Sequence, residues 1–345
     1  MFTGNEGHES ELLAPPLRPG GTIAVVAPAE PFRNRSDVQR GVQWWQAQGY
    51  EVRLADNIGE RTAMFAGSPR QRADAINQAF ADDSVHAIQC LHGGYGSTEL
   101  VPLLDFDLIA VHPKPFVGGS DVTVLHTALA RRTGLVSFYG PGLTQVARPD
   151  TPEMNQRSLL AAITDARPLG AMPTIPGDPF VRRISSGKAA GRTVGGALWV
   201  LCMTIGTPWQ VDLAGKILLV EEIGEPPWRL DAMFTLLRQS GLLDGVAGIA
   251  VGELVDCDWS ESRPETPFTL LLEDVLERQL AGLGVPCLYG FPFGHGLHKA
   301  TVPLGVQAQL DADAGTLTFV SPALSATGGG VPVGEASTST SSDSR

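Results

Sequence analysis

Pro115-Phe116-Val117-Gly118-Gly119-Ser120-Asp121-Val122-Thr123 reads as a short buried strand, a sharp turn that two glycines permit, and a helix beginning at Ser120. A serine on such a bend stands at the carboxyl end of a sheet strand with its hydroxyl exposed. The N–H groups of the following helix then point at whatever that oxygen attacks. The shape suggests a nucleophile, although the full G-x-S-x-G elbow would need glycine at the position of Val122.

Upstream of this stretch, strand and helix signals alternate. Thr22 to Val26 is a continuous apolar run between Gly20-Gly21 and Pro28, the pattern of a strand covered on both faces. Ser36 to Gln48 carries Val38, Val42, Trp44 and Trp45 at mainly helical spacing, and Tyr50 to Leu54 resumes as a strand. Ser68 caps a helix with Pro69 in its first turn and Ala73, Ile76 and Phe80 on one face; a strand from Val85 to Leu91 follows. Downstream, a helix over Asp121 to Arg131 and a strand over Leu135 to Tyr139 complete the pattern. This alternation predicts an α/β fold whose N-terminal half is a doubly wound, mainly parallel sheet of flavodoxin-like type.

Beyond about Arg167 the periodicity fades and Pro and Gly accumulate, as expected of a connector. The second half then predicts strands at Lys216–Val220, Gly248–Leu254, Val285–Tyr289, Val306–Leu310 and Thr316–Phe319. Helices are expected at Leu230–Ser240 and Thr269–Leu280. The expected organisation is a flexible leader over 1–16, a nucleophile domain over 17–166, a linker over 167–190, a strand-rich α/β domain over 191–322 and a disordered tail over 323–345.

The chain has 345 residues, 43% of them hydrophobic and 18% charged, with 25 basic against 37 acidic residues and a formal charge of −12. That balance disfavours nucleic acid and anionic membrane as partners. Cys90, Cys202, Cys257 and Cys287 lie far apart with no C-x-x-C pair, so neither a zinc knuckle nor a disulfide framework is indicated. The start, Met1 to Glu11, lacks the basic and apolar regions of a secretory signal. The uncharged run Thr193–Val211, broken by Gly195, Gly196, Gly206 and Pro208, reads as a buried helix with a turn rather than a membrane span. A cytoplasmic location is expected.

A serine hydroxyl needs a base to take its proton and a third group to orient that base. Of seven histidines, His295 stands out, in the glycine-flanked loop Tyr289-Gly290-Phe291-Pro292-Phe293-Gly294-His295-Gly296 just after a strand. The carboxylate candidates end the apolar run Ile217-Leu218-Leu219-Val220-Glu221-Glu222, at the carboxyl end of a strand where α/β folds build their sites. Composition alone leaves them open to being a solvated strand end, and Glu225 reads as loop surface. His295 and His298 form H-x-x-H, but no third ligand stands near, so no metal is expected. The loop His92-Gly93-Gly94-Tyr95-Gly96-Ser97 suits either a phosphate cradle or an oxyanion hole, since both need close backbone approach.

From about Leu17 to Leu317 the chain resembles the LD-carboxypeptidase family of serine peptidases, which also contains the microcin-immunity amidases. The resemblance is carried by Leu17 to Pro28, Ala66-Gly67 through Arg70 and Arg72, His92 to Gly96, Leu104-Asp105, Pro113 to Asp121, Gly140-Pro141, Gly195-Gly196, Gly206-Thr207-Pro208 and Gly294-His295. It implies Ser120 as nucleophile, His295 as general base and then acid, and Glu221, the first acidic position after the strand, as the group orienting His295. It implies backbone N–H groups of Gly94 and Asp121 as the oxyanion hole, and no cofactor.

By the same resemblance the substrate is a small peptide, a cytoplasmic muropeptide tetrapeptide losing its terminal D-alanine. The alternative within the family is an aminoacyl-nucleotide conjugate, whose base Trp199, Trp209, Trp228 or Phe180 would clamp. A non-catalytic phosphate- or sugar-binding protein is the remaining alternative, and a homodimer is expected. Three residues depart from the family pattern: His92 stands for an arginine, Gly119 for a tyrosine, and Tyr139 for the more common histidine. All three are candidates for contact with substrate.

Overall fold

A computed structural model describes residues 11–175, 177, 181–258 and 270–326. Five strands, β1 (Thr22–Val26), β2 (Glu51–Leu54), β3 (Ala87–Cys90), β4 (Phe116–Gly118) and β5 (Ser137–Tyr139), come from the first half. Nine more follow: β6 (Gly170–Ala171), β7 (Arg182–Ser185), β8 (Lys188–Ala197), β9 (Ile217–Ile223), β10 (Gly248–Val255), β11 (Cys287–Tyr289), β12 (Val302–Leu304), β13 (Gln307–Asp311) and β14 (Thr316–Phe319).

The first sheet runs β12-β5-β4-β3-β1-β2, with β1 to β5 all parallel in the order 2-1-3-4-5. This is the doubly wound, flavodoxin-like order expected from the alternation of elements. β1 is buried at every position, as a strand covered by helices on both faces requires. The helix Pro69–Ala81 begins at the cap read from Ser68, which the structure completes as a capping box: the Ser68 hydroxyl accepts from Gln71 N while the Gln71 side chain meets the Ser68 backbone. Its buried face holds Ala73, Ile76 and Phe80.

The second sheet has the order β6-β14-β13-β8-β9-β10-β11-β7, parallel from β8 to β11 and antiparallel outside them. The helices Pro227–Gln239 and Leu272–Leu280 cover one face, over a core that includes Leu218, Val220, Phe234 and Leu276. The opposite face of β9, with Ile217 and Leu219, belongs to the core that runs into the first sheet. Alternation along a strand therefore sends Glu221 toward the first half of the chain and Glu222 away from it.

Several expectations need correction. β12 lies deep in the second half yet pairs antiparallel with β5, so the two halves share a sheet edge. Thr193 to Ala197 is strand rather than helix, because it pairs with Ile217 to Glu221 of β9; the helix is only Leu198–Met203. Part of the expected linker forms β6 and β7. The expected flexible leader is ordered from residue 11, and the expected tail remains ordered through 326: Leu12 bridges Leu135, Ala14 bridges Leu324, and Ala14 and Leu324 are fully buried. The rest of that leader and tail, like Phe180, lies outside the described residues. Among the described residues, no helix is long and apolar enough to cross a membrane.

Candidate active site

The ends of β1, β3, β4 and β5 open on a cavity of about 510 Å³. It sits where the strand order reverses between β1 and β3, the place where open α/β sheets bind ligands. Ser120, His295, His92, Gly93, Gly94, Gly119 and Tyr139 all line it, so residues from both halves of the chain meet there.

Ser120 follows β4 with φ of +60°, the left-handed region that costs a residue with a side chain about 1–3 kcal/mol and persists only when its surroundings hold it. Three contacts do so. The Ser120 N–H donates to the Tyr139 hydroxyl at 2.7 Å, and the Thr123 hydroxyl donates to Ser120 O at 2.7 Å while accepting from Ala197 N at 3.0 Å. Gly93 lies so close that a Cβ there would stand 2.6 Å from the Ser120 Cβ, which is why that loop position excludes a side chain.

Glu221, fully buried at the end of β9, accepts from His295 Nδ1 at 2.6 Å and from His295 N at 3.1 Å, both on Oε2. The Tyr139 hydroxyl donates to its Oε1 at 2.5 Å. Gly294 holds φ of +109°, and a Cβ there would meet Glu221 Oε2 at 2.5 Å, so the glycine lets the loop close on the acid. Burial works against a protonated His295 ring, but the charge and hydrogen bond of Glu221 outweigh it and hold the ring above its ordinary pKa. The bond to Nδ1 leaves Nε2 as the available base. Among the described residues, no hydrogen bond joins Ser120 Oγ to His295.

Glu222 faces the other way. Its carboxyl accepts from Trp199 N at 2.6 Å and Ile223 N at 2.9 Å, and burial raises its pKa to about 7. The four cysteines are free and buried. Among the described residues, no group of three potential metal ligands is present.

Asp121 contributes more than a backbone N–H. Its buried carboxylate accepts from Ser97 N at 2.8 Å and so ties the glycine loop to the serine turn. Arg72, also fully buried, clamps the other side of that loop by donating to Gly96 O at 2.9 Å, Pro28 O at 2.7 Å and Glu99 Oε2 at 2.6 Å. His92 donates through Nε2 to Glu30 O at 2.9 Å, and burial lowers its pKa, so it adds no cation to the cavity. Cations come instead from Arg33, Arg148 and Lys299 on the lining. Lys299, whose pKa burial lowers, donates to His295 O at 2.7 Å. Sequence reasoning missed Lys299; its signal was a lone lysine four residues past the candidate base.

Tyr139 lines the cavity. It is 3% exposed, and its hydroxyl is engaged by Ser120 N and Glu221 rather than offered to the cavity. Trp199, Trp209 and Trp228 do not line the cavity.

Comparison with known proteins gives a consistent result. Residues 23–140 match the LD-carboxypeptidase N-terminal domain and residues 190–310 the LD-carboxypeptidase C-terminal domain. A probable murein peptide carboxypeptidase of Bacillus subtilis is 34% identical over 86% of this chain and 90% of its own. The crystal structure of muramoyltetrapeptide carboxypeptidase from Oxalobacter formigenes superposes with a TM-score of 0.74 at 30% identity, covering 87% of this chain and 99% of that one. The microcin C7 self-immunity protein MccF, known from Escherichia coli, superposes in its complex with aspartyl sulfamoyl adenosine. Its TM-score is 0.82 at 27% identity, over 91% of this chain and all of that one.

Proposed function

Because the chain belongs to the LD-carboxypeptidase family, we propose that this serine carboxypeptidase releases the terminal D-alanine of muropeptide tetrapeptides through Ser120, His295 and Glu221. The observation that carries the reading is the convergence of a serine held at positive φ and a histidine bonded to a buried carboxylate on one cavity. In this mechanism His295 Nε2 takes the hydroxyl proton as Ser120 Oγ attacks the carbonyl carbon of the L–D amide. The Gly94 and Asp121 N–H groups receive the developing oxyanion; the Asp121–Ser97 bond that joins their two segments supports this role. Protonated His295 then gives its proton to the leaving D-alanine nitrogen, and water attacks the acyl-enzyme by the same route. Approach of Ser120 Oγ to His295 Nε2 on substrate binding completes the proton path.

With His92 neutral, the substrate carboxylate falls to Arg33, Arg148 or Lys299. The absence of tryptophan and phenylalanine from the described lining favours a peptide over a stacked base. Likeness to MccF supports the second reading, an amidase for aminoacyl-nucleotide conjugates. The tetrapeptide reading places the protein in the cytoplasm, in keeping with four unpaired thiols, as a homodimer that light scattering would detect.

The test is D-alanine release from a purified muropeptide tetrapeptide, beside turnover of an aminoacyl sulfamoyl adenosine. The reading expects the tetrapeptide to be the better substrate and Ser120→Ala to abolish its turnover. Activity retained by Ser120→Ala, or lost to a chelator, would overturn it.

A further inference from the structure

Among the described residues, Tyr139 is the side chain that hydrogen-bonds both Ser120 N in the serine turn and Glu221, the acid behind His295. Ser120 N–H can only donate and a carboxylate only accepts, so the phenol accepts from the first at 2.7 Å and gives its own proton to Glu221 Oε1 at 2.5 Å. With the His295 Nδ1 bond to Glu221 Oε2 at 2.6 Å, an unbroken chain of hydrogen bonds runs from the Ser120 backbone to the His295 ring. It crosses from the first sheet to the second inside a site where Glu221 is fully buried and Tyr139 nearly so. In so dry a place each unmade bond leaves a charged or polar group without a partner.

We propose that Tyr139 is the positioning residue that locks the Ser120 turn to the Glu221–His295 pair, fixing the serine and tuning the base through one hydroxyl. The inference rests on the Ser120–His295–Glu221 reading above. Position 119 belongs to the same device: a Cβ there would meet Gly140 O at 3.0 Å and the Tyr139 ring at 3.5 Å. A side chain at 119 would therefore lie in contact with the phenol ring, so the two departures from the family pattern, Gly119 and Tyr139, are neighbours.

Two consequences separate this role from packing. The Tyr139 O–H draws off part of the charge that Glu221 presents to His295. Removing it leaves that charge to the imidazolium alone, so the base holds its proton more tightly. The other charged groups that act on the ring are Glu222, from the opposite face of β9, and Lys299 of its own loop, with Glu253 of β10 beyond Lys299; among the described residues no hydrogen bond joins Tyr139 to Lys299 or Glu253, and these stay in place. Second, a Ser120 N–H without its acceptor relaxes the turn, which lowers the chemical step more than substrate binding.

The experiment measures kcat, KM and the pH dependence of kcat/KM for tetrapeptide hydrolysis by the full chain and by Tyr139→Phe. The expected result is a fall in kcat of about 10- to 100-fold, KM within about twofold, and an acid limb displaced to higher pH. Should Tyr139→Phe not fold, 3-fluorotyrosine installed at position 139 keeps the shape and makes a stronger donor, and must move the acid limb to lower pH. An acid limb unmoved in both proteins, or wild-type kcat in Tyr139→Phe, overturns the proposal. Ser120→Ala, assayed alongside, distinguishes the failures. If it stays active, the triad reading falls and this inference with it; if it is dead while Tyr139→Phe behaves as wild type, only the role of Tyr139 falls.

Discussion

Replacing Glu221 by glutamine keeps the shape of the acid and removes its charge, and the structure constrains how the amide can sit. Three donors converge on the carboxylate: His295 N at 3.1 Å and His295 Nδ1 at 2.6 Å on Oε2, and the Tyr139 hydroxyl at 2.5 Å on Oε1. An amide has one oxygen. Turning its NH2 toward His295 would set two donors against the His295 backbone N–H, which cannot reverse, so the oxygen must face His295 and the NH2 must face Tyr139. His295 therefore keeps the tautomer that leaves Nε2 free, and the losses are the charge and the acceptor of the Tyr139 O–H. A hydrogen bond to a charged group contributes about 1.5–3 kcal/mol, which corresponds to a fall of about 10- to 150-fold in kcat/KM. This is well short of the roughly 10⁴-fold loss in kcat that follows when a triad histidine adopts the wrong tautomer.

The pH dependence gives the sign. Against burial, Glu221 holds the pKa of His295 above its ordinary value, and only the neutral ring acts as base. Glu221→Gln should therefore move the acid limb of kcat/KM to lower pH even as its plateau drops. The assay is D-alanine release coupled to D-amino acid oxidation, followed across pH. A loss of less than about threefold with an unmoved acid limb would refute the reasoning.

Gly93→Ala should cut kcat by more than about tenfold while the protein stays folded, because the new Cβ stands 2.6 Å from the Ser120 Cβ and the serine turn must yield; kinetics beside a thermal melt check it. Glu222, with a pKa raised by burial to about 7 from 4.5, contributes stability that is full below pH 4.5 and is lost as the pH rises through 7. That loss is on the order of 3 kcal/mol, so Glu222→Gln should flatten the fall in Tm between pH 4.5 and 7. An unchanged slope would remove Glu222 as its cause.

Much of the first sheet was legible because its signals are local. β1 is an apolar run between glycines and a proline, and Ser68 followed by Pro69 announces a helix start. β12 was not legible: three residues including Pro303 gain strand character only from Ser137 to Tyr139, far back along the chain. At the site, the serine turn, the glycine loop and the histidine loop showed through glycine spacing. The choice between Glu221 and Glu222 did not, since alternation separates them only once it is known which face of β9 meets the first half. Tyr139 was legible as a pocket residue, but its two bonds were not, since they join groups 19 and 82 positions away. Arg72 was visible as a motif residue, while its clamp on Gly96 needs the folded loop.

The central claim is that Ser120 becomes acylated. Treatment with a fluorophosphonate probe and mapping of the adduct by peptide mass spectrometry tests it most directly. The account predicts one adduct, on the peptide containing Ser120, formed in step with loss of D-alanine release and absent from Ser120→Ala. A fully inactivated enzyme with its adduct on another residue, or full activity in protein labelled at Ser120, would contradict it.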